Sequence, residues 1–100
     1  VEEGDGVVYD SGPYTFAVNN IYPNPFNPAA QISFSIPKEG YAKLSAFDMT
    51  GKEVDIIHEG FQSAGFHTYT WNASDMSSGV YYLRLSVGDR STTAKAVLMK

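Results

Sequence analysis

The chain has 100 residues, 43% of them hydrophobic, which is enough apolar material for one core; it holds no cysteine and carries a formal charge of −4. That length fits a single domain, and the lack of cysteine excludes a disulfide framework and thiol chemistry. No apolar run approaches a transmembrane helix and no basic-then-apolar leader opens the chain, so a soluble piece, or one cut from a longer precursor, is expected.

Four acids, Glu2, Glu3, Asp5 and Asp10, precede the first base, Lys38, and account for the whole net charge. Together with Gly4, Gly6, Gly12 and Pro13 they make residues 1–15 an acidic, solvated linker by composition, and residues 16–100 the folded domain. The balanced body offers no basic stripe for nucleic acid or anionic lipid.

Tyr14, Phe16 and Val18 alternate weakly, a faint strand signal. The segment Tyr22-Pro23-Asn24-Pro25-Phe26-Asn27-Pro28 follows. Three prolines lock φ and bias their predecessors away from helix, which predicts an extended, rigid lead-in. Asn24 and Asn27 are expected to cap it locally, and Phe26 to fasten it to the core. Ile32, Phe34 and Ile36 then alternate up to Pro37, and Lys38-Glu39-Gly40 turns the chain. Ala42, Leu44 and Ala46 share the inner face of the next strand. Asp48-Met49-Thr50-Gly51 reads as a tight turn in which Asp accepts local hydrogen bonds and Gly takes a positive φ. Val54 and Ile56 belong to a return strand, and His58 to Gly65 reads as a loop.

Phe66 to Trp71 is the next strand, with His67, Tyr69 and Trp71 on one face. Asn72 to Gly79 is a polar connection. Val80 to Val87 is the strongest strand, with Tyr81, Leu83, Leu85 and Val87 on one side. Gly88 to Ser91 turns the chain into a last strand, Thr92 to Met99, ending at Lys100. No window has a 3.6-residue apolar period, whereas β-branched and aromatic residues dominate the runs. The expected fold is all-β: an immunoglobulin-like β-sandwich of about seven antiparallel strands.

These residues resemble the C-terminal sorting domains of the type IX secretion system. Phe16 through Pro28 looks like that family's opening signature, and Ile32 to Pro37 its first full strand. Asp48 through Val54, with Gly51, resembles its Asp-x-x-Gly-x-x-Val turn. Trp71-Asn72-Ala73, Ser78 through Leu85 with its Gly-x-Tyr element, and Lys95 to Lys100 follow in register. Asn72 and Ala30 depart from the commoner acidic residue and threonine. The resemblance covers about residues 16–100 and implies an export address, with no cofactor and no catalysis. Its implied partners are the outer-membrane translocon and its shuttle proteins, a surface sortase that cleaves upstream, and a covalently attached cargo. The implied route runs through the periplasm to the cell surface or the medium. Met99-Lys100 is then read as the end of the precursor.

The sorting-motif residues on this reading are Pro23, Asn24, Pro25, Phe26, Gly51, Gly79, Tyr81, Lys95, Val97, Leu98, Met99 and Lys100. The last strand is expected to be an open edge with unpaired N–H and C=O groups, its neighbour fixed by Gly79 and Tyr81. Such an edge could also pair with a second copy. A related immunoglobulin-like module of flagellar hook-cap scaffolds is one alternative. A carbohydrate-binding sandwich of a secreted hydrolase, using Tyr82, is another.

Bland explanations suffice for the other candidates. His58 and His67 lack a third metal ligand. Asp48, Thr50, Gly51 and Glu53 fall short of a calcium loop and fit turn chemistry instead. Asn72-Ala73-Ser74 matches a glycosylation triplet that chance produces often. No serine has a His/Asp pair, so no enzyme is expected.

Overall fold

Where apolar residues alternate, the backbone pairs. The computed structural model describes residues 14–100, and among them there are seven strands and no helix. β1 (Ala17–Tyr22), β2 (Ala29–Ile36) and β5 (Gly65–Asn72) form a three-stranded sheet in the order β1-β2-β5. β3 (Gly40–Phe47), β4 (Glu53–Gln62), β6 (Gly79–Val87) and β7 (Arg90–Leu98) form a second sheet in the order β4-β3-β6-β7. All the strand pairings are antiparallel. The expected sandwich is therefore the one that forms.

Its core comes from the inner face of each strand. Ile32, Phe34 and Ile36 of β2 and Trp71 of β5 pack against Ala42, Leu44 and Ala46 of β3, Leu83 and Leu85 of β6, and Ala96 and Leu98 of β7. All are buried. Each of the larger aliphatic or aromatic side chains contributes roughly 1.5–3 kcal/mol on leaving water. Ser35, on the opposite face of β2, is buried too, beneath the segment that enters β1, with both its hydrogen-bonding roles used: its Oγ donates to the Thr15 carbonyl at 2.6 Å and accepts from Asn19 Nδ2 at 3.1 Å. Trp71 Nε1 donates to Asp55 Oδ2 at 2.9 Å, tying β5 of one sheet to β4 of the other.

Three expectations change. The stretch from His58 is not a loop, because β4 runs on to Gln62 and pairs Gly60 with Ala42 and Phe61 with Tyr41. Register shifts between Leu44 and Ser45 and between Ala46 and Phe47 break the alternation on which a strand reading depends. The first strand also lies later than Tyr14-Phe16-Val18 suggests, starting at Ala17 and running to Tyr22 against β2. The proline-rich segment is not extended. It must reverse the chain, since β1 and β2 are antiparallel neighbours, and it does so through bends at residues 23–25 and 27–28, with all three X-Pro bonds cis.

Most of the acidic linker, residues 1–13, lies outside the described residues. Tyr14 already sits edge-on to Phe66 at 5.2 Å, and the Arg90 guanidinium lies 4.7 Å over the Phe16 ring.

The turn from β3 to β4 is built as its sequence indicates. Asp48 Oδ1 accepts from Thr50 N at 2.9 Å, Thr50 Oγ1 at 2.6 Å and Lys52 N at 3.1 Å, while Gly51 N donates to the Asp48 carbonyl at 3.0 Å. Gly51 has φ 89°, a region that a Cβ strains. The Thr50 hydroxyl above all, with the Lys52 amide, holds the Asp48 carboxyl below its usual range. A lowered folded pKa gives stability that is present above the unfolded value and lost as the pH falls through the folded one. Asp48→Ala is therefore expected to melt below the wild type at neutral pH, with the gap closing in acid below the ordinary aspartate range. Thermal melts of both proteins across that range measure it, and a gap that stays constant with pH would refute the assignment.

Candidate functional site

All but one of the residues singled out by sequence converge at one end of the sandwich, through contacts between segments far apart in the chain. Asn24 lies between two prolines and presents its side-chain amide to the outer edge of β7. Its Nδ2 donates to the Lys95 carbonyl at 3.0 Å, and its Oδ1 accepts from Val97 N at 3.0 Å. One amide thus serves a carbonyl and an N–H on the same strand, as a paired backbone would. Two residues on, Phe26 N donates to the Val97 carbonyl at 2.8 Å and Met99 N donates to the Phe26 carbonyl at 2.9 Å, a parallel bridge of Phe26 with Leu98.

The expected role of Asn24 as a local cap is corrected by these bonds, and so is the expectation of an open last strand. From Lys95 to Met99 the edge of β7 is occupied by the proline-rich segment. The physical reason is the crossing itself: bends between β1 and β2 swing this segment out to the neighbouring sheet, where unpaired groups of β7 find it.

The Phe26 side chain, 1% exposed, anchors the clasp. Its ring lies 5.4 Å from that of Trp71, which in turn meets Tyr81 edge-on at 5.6 Å. Tyr81 sits opposite Ala96, Gly79 sits opposite Leu98, and the Tyr81 hydroxyl donates to the Ser77 carbonyl at 2.6 Å. The connection from β5 to β6 is also drawn in. Ala73 N donates to the Pro28 carbonyl at 2.9 Å, Lys100 N donates to Ser78 Oγ at 3.0 Å and Lys100 Nζ donates to the Ser74 carbonyl at 2.6 Å.

Pro23, Asn24, Pro25, Phe26, Gly79, Tyr81, Lys95, Val97, Leu98, Met99 and Lys100 are thus gathered into one structure. Pro23, Asn24, Pro25, Lys95, Met99 and Lys100 form its exposed side, while Phe26 and Leu98 form its buried side. Gly51 is separate. It belongs to the turn that leaves β3, two strands away from β7.

Ser74, Ser78 and the buried Ala73 seat Lys100 and the start of β2; the resemblance runs through Ala73 and Ser78, but none of the three is among the sorting-motif residues read from the sequence. Polar loop residues of this kind carry no signal until their partners are known.

Among the described residues, no group of three or more His, Cys, Asp or Glu converges to hold a metal ion. His58 stacks on Tyr69 at 4.1 Å with Gln62 Nε2 3.0 Å from its Nε2, and His67 packs against Phe34. A shallow groove of about 230 Å³ runs beside the clasp, lined by Val18, Asn19, Asn20, Ile21, Asn24 and Ala94.

Residues 20–99 match the model of a family described as the secretion system C-terminal sorting domain. No curated protein matches the chain.

Proposed function

Since this chain belongs to the family of C-terminal sorting domains of the type IX secretion system, whose members are export signals addressed to the secretion machinery, we propose that its signal is a folded composite of two segments. The proline-rich turn supplies one segment and the last strand the other. The supporting observation is the clasp of Asn24 and Phe26 on Lys95 to Met99. A receptor meeting this end of the sandwich touches Pro23, Asn24 and Pro25 together with Lys95, Met99 and Lys100, and β-strand addition onto residues 95–99 is blocked. The cargo is the polypeptide attached upstream, and the acidic segment, which has the composition of a solvated linker, is where a surface sortase cuts. The route passes through the periplasm to the cell surface or the medium.

The test is a reporter fused ahead of residues 1–100 in a cell that has the type IX machinery. Removing residues 96–100 is expected to abolish export under this reading and also under one in which a linear tail is read. Asn24→Ala separates the two, because it leaves the last strand intact in sequence and removes an exposed side chain. Export reduced at least about tenfold, with a folded circular-dichroism spectrum, is the expected result; this corresponds to about 1.4 kcal/mol of lost recognition. Export at the wild-type level would refute the composite signal.

A further inference from the structure

A two-sheet sandwich has four edge strands, and three of these are protected. β1 is short, carries a register irregularity between Val18 and Asn20, and runs into Pro23. β4 carries Glu53, Asp55 and Glu59, and its pairing with β3 is interrupted twice. β7 carries Arg90 and Lys95 and is clasped by Asn24 and Phe26. Charges, bulges, prolines and covering segments are the usual means by which an edge is kept from pairing with another chain.

Among the described residues, β5 has no charge, bulge or proline and no strand beside its outer edge; Tyr14 alone packs at its start, edge-on to Phe66. The sequence of β5 is Gly-Phe-His-Thr-Tyr-Thr-Trp-Asn, eight residues without proline, acid, lysine or arginine, and its register with β2 is unbroken. The whole three-stranded sheet lacks Asp, Glu, Lys and Arg at every strand position. The alternation of the ladder also shows which backbone groups are open. Ala73 N donates to the Pro28 carbonyl, extending the β2–β5 ladder by one pair, so His67, Tyr69 and Trp71, which share its parity, direct their backbone groups at β2. Phe66, Thr68, Thr70 and Asn72 direct theirs outward, and among the described residues no strand pairs with that side. The side chains at these four positions are exposed as well, Phe66 at 70%.

We propose that β5 is a self-association edge, on which a second copy of this chain adds its own β5 antiparallel about a two-fold axis. The strand is suited to itself. A two-fold centred on Tyr69 sets Thr68 of each copy opposite Thr70 of the other and Phe66 opposite Asn72, so all four outward residues meet as hydrogen-bonded pairs. No charge opposes its like across the axis. The Ser33–Thr68 hydroxyl contact, 3.1 Å across β2 and β5, is continued by Thr68–Thr70 pairs across the new seam. Strand pairing of this length buries less than the roughly 1,600 Å² of a standard stable interface, so the dimer is a weak one.

Sedimentation velocity on the 100-residue chain, from about 10 μM to about 1 mM, spans the range of such an association. The expected result is a monomer that converts to dimer with concentration. Hydrogen exchange at the Phe66, Thr68, Thr70 and Asn72 amides should slow at least about tenfold over the same range. Thr70→Lys sets a charge on the seam at an exposed position and should leave a monomer with a wild-type melt. Thr93→Lys, on the edge of β7, should leave the dimer intact. A monomer at every concentration, a dimer unaffected by Thr70→Lys, or a dimer in which those four amides exchange at the monomer's rate would overturn the proposal.

Discussion

Phe26→Ala is expected to destabilise the domain by about 3–5 kcal/mol, the range for truncating a fully buried aromatic side chain. For a domain of about 100 residues, a fall in Tm of at least about 12 °C follows. The ring is the only large apolar group that the proline-rich segment buries, and it rests on Trp71. Ala keeps the backbone N–H and C=O that bridge Val97 and Met99, so the hydrogen bonds remain available but lose their anchor. The consequence should be local as well as global, with Val97 and Met99 amides losing exchange protection before those of β3 and β6. Phe26→Leu, which keeps much of the apolar volume, should recover more than half of the loss. A Phe26→Ala melt within about 1 kcal/mol of the wild type would show that the clasp is held by its polar contacts alone.

Trp71→Ala carries a comparable loss, about 3–5 kcal/mol, for two reasons that can be separated. The indole packs between Phe26 and Tyr81, and its N–H donates to Asp55. Trp71→Phe removes the N–H and one ring while keeping an aromatic group in place. Asp55→Ala removes the acceptor and leaves the buried N–H unsatisfied, at a cost of about 1–3 kcal/mol. Because the two residues are in contact, the double variant should lose less than the sum of the single losses, and urea melts of the four proteins measure the coupling. Strict additivity would mean that the Asp55 contact contributes nothing of its own.

Much of the sandwich is legible in the residue pattern alone. β2, β3 and β6 have clean alternation because each buries one face, and Ile32, Phe34, Leu44, Leu83 and Leu85 all fall on it. β4 is half hidden, because its two register shifts break the period of two: Val54 and Ile57 pack on the core while Ile56 between them in the sequence is exposed, so no single alternation runs from Glu53 to Gln62. The site is legible in its members but not in its assembly. Pro23 to Phe26 and Lys95 to Lys100 stand out as separate motifs, yet local chemistry offers Asn24 a nearby backbone partner and nothing in the sequence indicates one 71 residues away. The free β5 edge is equally hidden, since edges are defined by what lies beside a strand and not by the strand itself. Even so, the absence of charge from residues 60–74 is there to be counted.

Asn24 and its partners on β7 are separated by 71 and 73 positions. Contacts so distant are not made by a disordered or half-collapsed polypeptide, because closing that loop costs entropy that only the intervening strands offset. Under the composite signal proposed above, a transporter probing this junction inspects the integrity of everything between the two segments. Passengers whose tail is misfolded or nicked within that span are then expected to fail inspection without any separate sensor, which would make address and quality certificate one object.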